Sequence, residues 1–192
     1  MRVTAASTSI FSAVVVLAAT ACSPQSETRQ NTAAATGDTN SHKAGHSEMS
    51  ADANHAFLQK MVDHHEGLIL LAGRGEKRGM QSITPDAKKL HTKQQTEQQK
   101  MTEMLSAHSG TSAEPKLMPK HKMMSDSLER QNGKAYERGF YQDVIAHHKE
   151  GIAMIDSFLP RLTDDSVRTM AEKMRSDQER EIGEFSKKAG TS

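Results

Sequence analysis

Phe57-Leu58-Gln59-Lys60-Met61-Val62-Asp63-His64-His65 and Phe140-Tyr141-Gln142-Asp143-Val144-Ile145-Ala146-His147-His148 are two copies of one stretch. A shift of 83 positions lays phenylalanine on phenylalanine, Gln59 on Gln142, and one histidine pair on the other. In each copy the stripe positions recur every three or four residues (58, 61, 62, 65, 68, 69, 72 and 141, 144, 145, 148, 152, 155). That is the period of an amphipathic helix, not the alternation of a strand. On such a helix His65 and His148 fall in the middle of the stripe, and His64 and His147 lie about 100° round, at its edge. Two histidines stand where core leucines are expected.

The sequence after each copy repeats too, at an offset of 80: Lys93, Thr96, Glu97, Gln98 and Lys100 fall on Lys173, Ser176, Asp177, Gln178 and Arg180. The repeating unit is therefore a helical hairpin of about 60 residues. Neither hairpin can bury its stripe alone, so the sequence predicts an all-α, four-helix bundle of two duplicated hairpins over residues 50–189. Ser50 is expected to cap the first helix, which runs to about Arg78. Thr84-Pro85-Asp86 reads as the start of the second, stopped by Gly110. Residues 109–124 read as a connection, Ser125 to Gln131 as a short helix, and residues 134–158 as the third long helix, ended by Pro160. Thr163 is expected to cap the fourth, which runs to about Lys188.

Outside the bundle the reading changes. Arg2, the apolar run Ile10 to Ala19 and the small residues Ala19-Thr20-Ala21 form an export signal over residues 1–21. The apolar run is too short for a permanent membrane span. The chain's one cysteine, Cys22, follows directly, as in a bacterial lipobox, and lipidation there would anchor the protein in the cell envelope. Cleavage without lipidation would leave a free thiol. Residues 22–49 are polar and read as a flexible tether, with His42, His46 and Met49 either a weak metal-capture site or plain linker.

A single cysteine excludes disulfides and cysteine zinc sites. The leader takes one positive charge, Arg2, from 25 basic and 24 acidic residues, so the mature chain is balanced and has no general attraction for nucleic acid. There is no Glu-x-x-His, His-Glu-x-x-His or Cys-x-x-Cys-His, and no phosphate loop or serine nucleophile motif, so no catalytic or organic-cofactor residue stands out.

What remains is histidine and methionine, 10 and 12 residues of 192. A buried imidazole needs partners, and Gln98, Gln178, Glu97, Asp177 and Glu181 lie on the partner stripes to supply them. Alternatively His64, His65, His147 and His148 bind a metal, helped by Met61 and Met154, with Met118, His121, Met123 and Met124 as a secondary site. Imidazole with thioether suits Cu(I), and by extension Ag(I). The competing class is a non-metal envelope interaction module with satisfied core histidines. A metal-containing redox enzyme is the third.

At these residues the chain resembles a bacterial family catalogued as domain of unknown function 305, which includes CopM-like copper-binding proteins of the periplasm. Phe57, Met61, Val62, His64, His65 and Ile69 match its pattern in the first half. Phe140, Ile145, His147, His148, Ile152 and Met154 match in the second, and Gln178, Glu181 and Ile182 reproduce its second-helix motif. Gln98 with Met101 echoes that motif. Val144 and Leu71 replace methionines of the pattern, so each half keeps one. The resemblance implies a ferritin-like bundle in the cell envelope and, for the characterised type, copper or silver binding.

Overall fold

The computed structural model describes residues 41–110 and 112–191, with side chains from residue 53 to residue 190 apart from 109 and 111. The expected export signal, Cys22 and most of the expected tether lie outside the described residues, and the side chains of His42, His46 and Met49 lie outside them too.

The helical periodicity appears as α1 (Ser41–Arg78), α2 (Thr84–Ser109), α3 (Pro119–Glu129), α4 (Gly133–Phe158) and α5 (Asp165–Thr191). A 3-10 turn, Leu159–Arg161, joins α4 to α5. No described helix is long and apolar enough to cross a membrane.

Three boundaries differ from the sequence expectation. First, α1 begins at Ser41, so Ser50 lies within it and does not cap it. Extending a formed helix costs far less than nucleating one, and residues 41–49 hold no proline to stop it. Second, the cap of α5 is Asp164, whose Oδ1 accepts from the backbone N–H of Ser166 (2.7 Å) and Val167 (3.1 Å). Thr163 is instead tied to Asn54 of α1, its N–H donating to Asn54 Oδ1 and its hydroxyl accepting from Asn54 Nδ2, both at 3.1 Å. Third, the expected connection ends early, because Pro119 opens α3 six residues before Ser125.

At the other end of α2, Gly110 sits at φ 67° and its N–H returns to Ser106 O at 2.9 Å. That left-handed cap is open to glycine at little cost.

α1 packs on α2 and α4 on α5, and the hairpins meet mainly where α1 faces α4. α3 lies against both of those helices. The core falls into two apolar clusters. One gathers Phe57, Leu58, Met61, Met101, Ile155 and Phe158; the other gathers Leu68, Leu71, Tyr136, Phe140, Tyr141 and Phe185. Each fully buried side chain of this kind contributes about 2 kcal/mol. Along α1 the first cluster precedes the histidine pair and the second follows it; along α4 the order is reversed. The two helices therefore run antiparallel, and the histidines form a polar layer between two oily halves.

Candidate metal centre

All four paired histidines and His121 are buried, none more than 3% exposed. They divide into two sorts.

His65 and His148 turn inward within their own hairpins. His65 Nδ1 lies 3.0 Å from Met61 O and Nε2 3.1 Å from Glu97 Oε2. Both nitrogens are thus occupied by oxygen atoms of its own hairpin, and neither is turned to the seam. His148 Nε2 lies 2.8 Å from Glu181 Oε2, off the line of a straight hydrogen bond. The partners are thus the carboxylates; Gln98 instead donates to Val62 O (3.2 Å) and Glu66 (3.0 Å). Lys93 joins the two systems, with Nζ 2.8 Å from Glu181, 3.6 Å from Asp177 and 3.9 Å from Glu97. Burial works to raise the Asp177 carboxyl, but hydrogen bonds from Lys173 and Arg180 and the Lys93 charge win, holding it down at about 2. Burial likewise opposes the charged form of Glu181, and the close contact of His148 with the hydrogen bond and charge of Lys93 overcomes it.

His64 and His147 do the opposite. The stripe edge on which they sit is the seam between hairpins, and their rings meet across it with centroids 3.8 Å apart. His121 of α3 closes the third side, 5.2 Å from His64 and 4.7 Å from His147. One ligand atom from each of the three lies within 4.8 Å of the others.

Local sequence explains why His121 reaches this point. Pro119 presets the first helical turn, and His121, Ser125 and Leu128 then form the buried face of α3. Arg74 of α1 holds Ser125 (2.9 Å) and Asp126 (2.8 Å), and Asp63 accepts from Lys116 N at 3.0 Å. Beneath the imidazole is Gly67, where an added Cβ would fall 2.2 Å from His121 Nδ1 and 2.7 Å from its Cβ. Gly151 gives similar room on α4: a Cβ there would lie 2.6 Å from Gln178 Oε1 and 3.2 Å from His64 Cε1.

The protonation states follow from burial. Desolvation, followed by the charges of neighbouring histidines, holds His64 and His147 well below the usual imidazole range. Burial lowers His121 as well, partly offset by Glu150. The three rings are therefore neutral at pH 7. His147 Nε2 lies 3.0 Å from His64 O, and a carbonyl only accepts, so the proton is on Nε2 and the lone pair on Nδ1. That Nδ1 has no partner, nor has either nitrogen of His64 or His121. An unpartnered buried polar atom costs about 1–3 kcal/mol, so five of them on three adjoining rings, with one from each ring within 4.8 Å of the others, mark a place suited to a bound group. Three neutral imidazoles suit zinc, copper, iron or nickel.

The other residues proposed from sequence lie elsewhere or in packing roles. Met61 is fully buried in the first apolar cluster and Met154 packs against that cluster. Met118 precedes α3 at its N-cap, Met124 packs against the second cluster, and Met123 is 67% exposed. The set of four paired histidines is thus split, and His121, expected in a secondary site, completes the three-histidine group.

Fold and site together define a duplicated helical-hairpin bundle enclosing a histidine cluster at its pseudo-two-fold seam. The chain belongs to the family described as Domain of unknown function (DUF305), whose model matches residues 81–188. Two solved structures share the fold. A DUF305 fragment from Deinococcus radiodurans is 23% identical, with a TM-score of 0.63 over 73% of this chain and 97% of that one. CopM in its Cu(II)-bound form is 17% identical, with a TM-score of 0.63 over 72% and 96%. No curated protein matches the chain.

Proposed function

We propose that this protein binds a copper ion with His64, His121 and His147 and serves as a metal buffer or resistance protein of the cell envelope. One observation carries the reading: five buried imidazole nitrogens without partners, on three rings whose ligand atoms lie within 4.8 Å of one another. Among first-row divalent ions, nitrogen sites favour copper most. Three imidazoles also accept Cu(I), and Ag(I) follows it. A protein of the same fold solved with Cu(II) bound supports the choice of metal. The thioethers of Met61 and Met154 are not needed as ligands in this reading, since packing accounts for both. The envelope location rests on the sequence, through the export signal and Cys22.

The test is a competition titration of the full-length chain with Cu(I) under anaerobic conditions and with Cu(II) in air. The control carries His64→Ala, His121→Ala and His147→Ala, with helicity checked by circular dichroism. Tight one-to-one binding lost in the control is the expected result. Absence of saturable binding by the natural chain would leave the interaction-module reading in its place.

A further inference from the structure

The histidine cluster has an acidic neighbour that the three-ring site does not use. Glu150 lies on α4 one turn beyond His147, and its carboxylate is about one-third exposed. Oε1 is 3.8 Å from His64 Nε2 and Oε2 is 3.5 Å from His121 Nε2. Both separations are long for a hydrogen bond. They are close to another length. A metal about 2.0–2.2 Å from each of four tetrahedral ligands sets those ligands roughly 3.3–3.6 Å apart. The carboxylate thus stands one ligand–ligand edge from two rings with free nitrogens. In the structure it is held from the outside by the ammonium of Lys120, which is itself half-exposed.

We propose that Glu150 is the fourth ligand of the centre, used for divalent ions and withheld from monovalent ones. The assignment rests on the three-histidine site above. A carboxylate is a hard, anionic donor: it favours Cu(II) or Zn(II) and adds little for Cu(I) or Ag(I), which three imidazoles already satisfy. Charge points the same way. Three neutral rings leave a divalent ion with two positive charges in a buried site, and Glu150 removes one of them. With a monovalent ion that benefit is smaller, and Glu150 stays with Lys120. Giving up the Lys120 contact costs little, because an ion pair this exposed to solvent is weak. Glu150 also sits on the exposed side of a cluster otherwise sealed in the core, which makes it the ligand an entering ion meets first.

The experiment compares the full-length natural chain with Glu150→Gln and Lys120→Met, titrating Cu(I) anaerobically, Cu(II) in air, and Zn(II) as a redox-silent divalent ion. Glu150→Gln should lower Cu(II) and Zn(II) affinity by about tenfold or more, while Cu(I) affinity stays within about threefold. The Cu(II) electron paramagnetic resonance spectrum should change with it. Lys120→Met should tighten divalent binding slightly and leave Cu(I) alone. Equal losses for all three ions, or no loss for any, would overturn the role of Glu150 and leave the three-histidine site standing. Failure of the natural chain to bind any of the ions would remove both.

Discussion

Gly67→Ala changes one hydrogen to a methyl group, and the structure sets two opposed effects against each other. In the interior of α1 the substitution removes a glycine and should gain about 1 kcal/mol of helix propensity. Against this, the new methyl would lie 2.2–2.7 Å from three atoms of His121, including its Cβ. Rotating the ring alone does not relieve a clash with Cβ, so α3 must lift away from α1. Overpacking of this kind costs about 1–3 kcal/mol. The net destabilisation is then about 0–2 kcal/mol, too little to unfold the bundle.

Metal affinity should respond far more, since the third imidazole moves out of reach. Disturbing groups that merely support a ligand costs about 10–100-fold, and loss of a ligand should be at least as severe. Gly183→Ala on α5 is the matched control, because a Cβ there meets nothing within 4 Å. It should raise stability by up to about 1 kcal/mol and leave binding untouched. Thermal melts followed by circular dichroism, with chelator competition on the same samples, read both quantities. Natural affinity in Gly67→Ala would refute the placement of His121 over Gly67, and with it the three-ring centre.

Three further outcomes follow from the same layer. The folded chain holds His64, His121 and His147 below the ordinary imidazole range, whereas the unfolded chain protonates them near pH 6.5. Their contribution to stability is complete above about pH 6.5 and is lost as pH falls, each ring adding up to about 1.4 kcal/mol per pH unit. The metal-free melting temperature should therefore drop between pH 7 and pH 5.5; a flat profile would mean the rings are not buried neutral. Asp143 slopes the other way: burial raises its carboxyl to about 6, so its cost grows from about pH 4 to pH 6 and is full above that. Asp143→Asn should stabilise at pH 7 by on the order of 1 kcal/mol and have no effect near pH 4, as denaturant titration at the two pH values would show. Finally, His65→Leu should cost about 1–2 kcal/mol by removing the Glu97 contact, yet leave copper affinity within about threefold. A loss like that of a His64 variant would put His65 among the ligands.

The bundle was legible because its signal is redundant. Two hairpins repeat one stripe, Pro85 and Pro160 mark ends, and the histidine pairs fix the alignment. The site was legible only in part. A helical wheel places His64 and His147 at the edge of the stripe, but it cannot say that the edge of one hairpin is buried by the edge of the other. That depends on how α1 meets α4, a long-range contact with no local trace. From sequence His121 belongs to a separate secondary site, because proline and three methionines around it have the composition of a loop. Pro119 followed by the stripe His121, Ser125 and Leu128 was the available sign of a helix facing inward. For the methionines the sequence leaves two roles open: a thioether four residues from an imidazole has the spacing of a ligand, and in the packed protein Met61 lies in the apolar cluster with Leu58, Met101 and Phe158.

The meeting of His64 with His147 across the seam has a consequence for stoichiometry and ancestry. An assembly of two identical hairpins would supply every side chain away from its axis in pairs, so its cluster would hold two or four imidazoles. The cluster among the described residues holds three, the odd one coming from the segment that joins the halves. A histidine of this kind exists once per chain only because the halves are covalently fused and free to differ. Fusion thus turns an even-numbered, symmetric cluster into a lopsided one, with a single ion expected per chain and one face, the α3 side, by which it can be reached.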